Sequence, residues 1–205
     1  MRALRDMNLP KFVFEDVPLF LGLIADLFPG MHCPRLSQKT LKQAVTQVLV
    51  EGDMHHKDEV RFQLQVDKVI QCYEVLLTRH TIMVVGPTGG GKSLVINTLA
   101  KAQQRAFKLT TKLFPMCSKA LTVAELYGGL DPTTRDWTDG LLSKTFREVN
   151  EPLKADQHEA RYILFDSDVD ALWVENMNSV MDDNKLLPLA NGERIRLQDH
   201  CKLVF

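Results

Sequence analysis

The sequence predicts an α/β fold in which a parallel sheet is sandwiched by helices, and three observations carry that expectation. Gly86-Pro87-Thr88-Gly89-Gly90-Gly91-Lys92-Ser93 satisfies G-x-x-x-x-G-K-[ST], the pattern of a phosphate-binding P-loop. Its flanks agree with it. Thr81-Ile82-Met83-Val84-Val85 ahead is a short, β-branched apolar run, and Leu94 to Lys101 behind has helical spacing. Strand, glycine turn and helix is the order the motif needs. Further on, Tyr162-Ile163-Leu164-Phe165-Asp166 is an apolar run closed by an aspartate, the signature of a buried parallel strand.

Composition narrows the function classes. The chain has 205 residues, enough for one mid-sized domain with an extension. With 25 basic and 26 acidic residues, it has no charge excess to favour nucleic acid or an acidic membrane surface, so neither is an expected partner. Cys33, Cys72, Cys117 and Cys201 are scattered without a C-x-x-C pair, which argues against zinc and a disulfide framework and for a reducing compartment. No apolar run is long enough for a bilayer span, and the charged start Met1-Arg2-Ala3-Leu4-Arg5-Asp6 has no signal-peptide core. A soluble intracellular protein is expected.

In chain order, residues 1–34 form a helical N-terminal extension. Phe12, Val17, Leu19, Phe20, Leu23, Ile24 and Leu27 make a dense apolar series that starts near Glu15-Asp16-Val17-Pro18 and stops at Pro29-Gly30. So apolar a segment is normally covered by a partner surface. Cys33-Pro34 reads as a turn. The next helix runs from Ser37, its expected N-cap, to Val50, with Leu41, Ala44, Val45, Val48 and Leu49 on one face. His55-His56 beside Asp58 and Glu59 could hint at metal, but a solvated helix start accounts for them. A third helix is expected over 58–78, with Leu64, Ile70, Tyr73, Leu76 and Leu77 in its buried stripe.

Beyond the P-loop helix, residues 107–114 alternate apolar with polar or basic and predict a second strand at or near a sheet edge. Residues 118–127 are read as helical, 128–140 as an ordered loop, 141–149 as a helix and 151–161 as a polar link. After the strand ending at Asp166, residues 172–181 are helical. Asn191-Gly192 then marks a hairpin between 186–189 and 195–197, with Pro188 making its strand an edge or interrupting it. Cys201-Lys202-Leu203-Val204-Phe205 reads as a further apolar strand.

The P-loop supplies chemistry of a definite kind. Glycines let successive backbone N–H groups turn around a polyphosphate, and a helix starting at Lys92 aims its N-terminus at the same anion. The expected nucleotide-binding set is Gly86, Pro87, Thr88, Gly89, Gly90, Gly91, Lys92 and Ser93. Lys92 reaches the terminal phosphates, and the Ser93 hydroxyl is an Mg²⁺ ligand. Asp166, at the end of a strand downstream of the P-loop with room for one strand between, is the expected second Mg²⁺ partner.

The position after Asp166 decides the catalytic expectation. It is Ser167, and a serine hydroxyl is far too weak a base to activate water at neutral pH. Losing a positioned general base costs ~10²–10⁴ in rate. No residue is therefore assigned a catalytic role. Two other readings stay open: a catalytic P-loop ATPase or small-molecule kinase using Asp168 or Asp170 as base, and an interaction fragment that does not bind nucleotide.

The residues now named closely resemble dynein heavy chains. Asn8-Leu9-Pro10-Lys11, Asp26-Leu27-Phe28-Pro29-Gly30, Glu125-Leu126-Tyr127-Gly128, Asp131-Pro132, Trp137-Thr138-Asp139-Gly140 and the run from Ala171 to Asn184 carry the likeness, which spans essentially the whole chain. It resembles the second AAA+ module of the motor ring of an axonemal, inner-arm-type heavy chain. The resemblance implies an AAA+ P-loop fold, with residues 1–34 the helical end of a preceding module. Residues 35–205 would be a large subdomain stopping before the sensor residue, arginine finger and lid. It further implies ATP or ADP with Mg²⁺ held without turnover. The implied partners are neighbouring AAA+ modules of the same heavy chain, dynein intermediate and light chains, and microtubules; the implied location is the cytoplasmic cytoskeleton and the axoneme of cilia or flagella. Ser167, where that module often carries glycine, and Pro188 in the hairpin are departures from the family pattern.

Overall fold

The computed structural model describes residues 2–13, 15–31, 38–54, 56–154 and 158–205. The chain divides into two units, one of residues 1–79 with 87–107 and one of residues 80–86 with 108–205.

The first unit is helical. It holds α1 (Arg2–Asn8), α2 (Val17–Leu27), α3 (Lys39–Glu51), α4 (Glu59–Thr78) and α5 (Lys92–Phe107). On α3, the expected face of Leu41, Ala44, Val45, Val48 and Leu49 is buried, and it packs against α4 and α5. Complete burial of such side chains stabilises by ~1.5–3 kcal/mol each, which outweighs the modest intrinsic helix propensity of the valines. Asp58 starts α4 by accepting hydrogen bonds from the Val60 and Arg61 N–H groups at 2.9 and 3.3 Å.

The stripe on α4 differs from the expected one. Val66, Val69, Ile70 and Leu76 are buried, whereas Leu64 is 45% and Leu77 60% exposed and Tyr73 is half-buried. Apolar residues occur on more than one face of this helix, and the positions of α3 and α5 select which face is covered. Helix α2 buries Ile24 but leaves Leu19, Leu23 and Leu27 exposed. The turn expected at Cys33-Pro34, the cap at Ser37 and His55 lie outside the described residues. His56 accepts a hydrogen bond from the Asp58 N–H through Nδ1 at 3.0 Å, as suits a helix start. Among the described residues, no group of three His, Cys, Asp or Glu is placed to hold a metal ion.

The second unit is built on a four-stranded parallel sheet, so the predicted α/β class is the observed one. Its strands are β1 (Thr81–Ile82), β2 (Thr110–Met116), β5 (Glu159–Phe165) and β8 (Cys201–Val204), in the order β1-β8-β5-β2. Pairing beside β1 continues past its last residue, because the Val84 N–H donates to the Phe205 carbonyl at 2.7 Å. Strand β2 is at the edge, as its alternating sequence predicts. Strand β5 begins at Glu159, inside the stretch read as a polar link. Glu159 and Arg161 pair with each other at 2.6 Å, so charged residues are accommodated within the strand.

Helices α6 (Val123–Tyr127), α7 (Leu141–Val149), α8 (Ala171–Val174) and α9 (Asn178–Met181) contribute to the core of this unit. Phe146, Ile163, Phe165, Met177, Leu187 and Leu203 are almost completely buried there. The Phe165 ring stacks with Trp173 and Phe205, at centroid distances of 5.2 and 4.6 Å.

Residues 128–140 are not a loop alone but a short hairpin, β3 (Gly128–Leu130) with β4 (Trp137–Asp139). Strands of three residues containing paired glycines fall below what alternation can reveal. The turn is held by Asp131, whose Oδ1 accepts from the Thr133 and Thr134 N–H groups. The hairpin predicted around Asn191-Gly192 is present as β6 (Leu186–Pro188) and β7 (Arg194–Arg196). Among the described residues it is a two-stranded sheet, so Pro188 meets the edge condition its missing N–H imposes.

Candidate functional site

The P-loop turn is closed by the Gly90 N–H donating to the Pro87 carbonyl at 3.0 Å. Gly89 and Gly91 have φ of +78° and +82°, a backbone region costly for any side chain. A Cβ on either would meet nothing within 4 Å, so the loop leaves an open concavity there. Such a cradle of glycine N–H groups fits a polyphosphate. Lys92 is the first residue of α5, and its Nζ donates to the Pro87 carbonyl at 3.0 Å. Buried Ile96, Leu99 and Ala102 hold the helix in place, while Thr88 and Ser93 are exposed. The structure thus brings Pro87 to Ser93 together as one turn and helix start.

The same glycines line a cleft of about 400 Å³ with Leu94 and Val95. Its other side comes from α4 and the segment ahead of it, including Met54, His56, Arg61, Leu64 and Gln65. Sequence reasoning missed this wall. Leu64 was expected in the buried stripe, and the clue that it belongs elsewhere is its spacing. Arg61, Leu64, Gln65 and Lys68 recur three or four residues apart and so share one face, which is not the face of Val66, Val69 and Ile70.

In the sheet unit, Gly86 follows β1 and Asp166 follows β5. Both strands are parallel, so both residues leave the same carboxyl edge of the sheet, with β8 between the two strands. This is the edge at which open α/β sheets present their ligand-binding groups. Asp166 is exposed, and its backbone N–H donates to the Met116 carbonyl at 3.0 Å, extending the β2–β5 ladder. A hydroxyl such as that of Ser93 and a carboxylate such as that of Asp166 are the hard oxygen donors Mg²⁺ prefers.

Ser167 and the two alternative bases, Asp168 and Asp170, are each engaged. Ser167 shares a hydroxyl–hydroxyl hydrogen bond of 2.6 Å with Ser118, a residue only 1% exposed. Asp168 pairs with Lys119 at 3.2 Å across an exposed surface. Asp170 accepts from the Leu172 N–H at 3.0 Å and so caps α8. Ser118 carried no sequence signal; only the pairing of β2 with β5 brings it to Ser167.

Comparison with known proteins adds two family matches. Residues 1–93 match the family described as the hydrolytic ATP binding site of dynein motor region. Residues 81–204 match the AAA domain of the dynein-related subfamily. Among similar proteins, human dynein axonemal heavy chain 10 is 67% identical over the whole of this chain. The Chlamydomonas reinhardtii dynein-1-alpha heavy chain of the flagellar inner arm I1 complex is 64% identical, and human dynein axonemal heavy chain 8 is 46% identical. The chain spans about 4% of the length of each of these relatives.

Proposed function

We propose that this chain, which belongs to the dynein-related subfamily of AAA domains, is a module that holds ATP or ADP with Mg²⁺ without turning it over. In this reading Gly86 to Gly91 cradle the phosphates, Lys92 neutralises the terminal ones, and Ser93 with Asp166 holds the metal. Bound Mg²⁺ would supply charge neutralisation of the phosphates. The Ser118–Ser167 hydrogen bond carries the proposal. The residue after Asp166 has no carboxylate, and its hydroxyl, bonded to Ser118, is too weak a base to activate a water. The engagement of Asp168 and Asp170 supports the same reading over the catalytic alternative.

The similarity to axonemal heavy chains supports a place within a microtubule motor of cilia or flagella. We place the chain as the second AAA+ module of an inner-arm-type ring, with residues 1–34 as the end of the module before it. Neighbouring modules of the same heavy chain are then its direct partners, with intermediate chains, light chains and microtubules reached through the assembly. The exposed leucines of α2 support such an arrangement, since Leu19, Leu21, Leu23 and Leu27 on one short helix suit a covered surface.

Binding of fluorescent ATP and ADP to the purified chain in Mg²⁺, beside Lys92→Ala and a phosphate-release assay, tests the proposal. Saturable binding, weakened at least ~tenfold in the variant as loss of a charge-assisted contact demands, with no turnover, is the expected result. Turnover above background would overturn the role given to Ser167. Absence of binding would overturn the nucleotide reading itself.

A further inference from the structure

We infer that Gln65 is a positioning residue for the nucleoside end of the ligand, building the wall against which base and sugar rest. The inference rests on the nucleotide reading above but concerns residues outside the P-loop motif. The Gln65 carboxamide uses both of its ends on one segment. Nε2 donates to the Met54 carbonyl at 2.9 Å, and Oε1 accepts from the His56 N–H at 3.3 Å. A side-chain amide thereby replaces the backbone partner that Met54 and His56 would find in a strand, and fixes an irregular segment along α4.

That segment faces the phosphate cradle. Met54, His56 and Gln65 line the cleft of about 400 Å³ that Gly89, Gly90 and Gly91 also line. A cleft beginning at a phosphate cradle and continuing past Met54, Leu64, Leu94 and Val95 offers apolar area to a flat heterocycle, with a few polar groups to orient it. The Asp58 N–H donates to His56 Nδ1 at 3.0 Å, so the imidazole is held at one nitrogen, while Arg61, exposed on α4, adds a cation to the same wall. Loosening Met54 and His56 would leave the P-loop turn untouched, because that turn is closed by its own Gly90 to Pro87 hydrogen bond.

The test compares Mg²⁺-ATP with Mg²⁺-tripolyphosphate, which has the phosphates but no nucleoside. On the purified 205-residue chain, Gln65→Leu is expected to weaken ATP binding about tenfold, as two lost hydrogen bonds would, and to leave tripolyphosphate binding unchanged. Gln65→Glu keeps the acceptor for the His56 N–H but not the donor to Met54, and is expected to lose less. Leu64→Trp changes an exposed cleft residue outside the core and is expected to block ATP while sparing tripolyphosphate. Unchanged ATP binding in Gln65→Leu overturns the inference, as does equal loss of both ligands. Failure of the wild-type chain to bind ATP overturns the nucleotide reading and this inference with it. Loss of tripolyphosphate binding in Lys92→Ala alone verifies that the probe reports on the P-loop.

Discussion

The Ser118 and Ser167 hydroxyls lie 2.6 Å apart, linking the segment that leaves β2 to the segment that leaves β5. One residue earlier the Asp166 N–H bonds to the Met116 carbonyl, and one residue later Lys119 pairs with Asp168. The β2–β5 ladder is thus continued by side chains past the end of the strands, and Asp166 is fixed from both sides. Ser118→Ala leaves the Ser167 hydroxyl without this partner. A loss of about 1 kcal/mol in unfolding free energy is expected, read by denaturant titration. An unchanged midpoint would mean that the pair contributes nothing to holding this edge.

Gly140 sits where the second strand of the 128–139 hairpin turns into α7. A Cβ there would lie 2.3 Å from the Gly128 nitrogen and 2.4 Å from the Leu126 carbonyl oxygen, both main-chain atoms that cannot rotate away. Gly140→Ala is therefore expected to cost about 3 kcal/mol, the upper end for overpacking. A thermal melt within a degree of the wild type would show that the hairpin simply shifts.

Glu159 gives the sheet a sensitivity to acid. Hydrogen bonds from Lys112 and Arg161 hold its carboxyl below the ordinary value of 4.5. With the folded value depressed, the charged form contributes stability above the unfolded value, and this is lost as pH falls through the folded one. The wild-type melting temperature should fall as pH drops below 4.5 and through the lower folded value. Glu159→Gln should be less stable at pH 7 and flatter in acid. Parallel profiles for the two proteins would contradict this.

Thiol reactivity should follow burial. Cys72 and Cys201 are pushed up to about 12 by burial, whereas Cys117 is exposed. At pH 8, with peptide-resolved mass spectrometry, a maleimide should modify Cys117 promptly and Cys72 and Cys201 only on unfolding, since the thiolate is the reacting form. Prompt labelling of Cys72 in the native chain would show that α4 opens on that timescale.

Much of the site is legible in the sequence. The P-loop turn, the start of α5 at Lys92 and the place of Asp166 after a buried strand all depend on neighbours in sequence. For the same reason α7 matches its predicted residues 141–149, and the Asn191-Gly192 turn falls where expected. Gln65 was invisible because its partners are main-chain atoms of Met54 and His56, and any glutamine on a helix face could point to water instead.

The sequence by itself therefore determined the glycine-rich P-loop turn, the α/β class and the absence of a carboxylate directly after Asp166, because each follows from the conformational limits and chemistry of consecutive residues. The tertiary structure decided which face of α4 is buried, that 128–139 form a hairpin, that Ser118 stands beside Ser167 across 49 residues of chain, and that Leu64 and Gln65 line the cleft. Those outcomes depend on strand order and on which helix covers which face. A residue's own neighbours place no limit on either, and the burial of apolar surface from distant segments settles both.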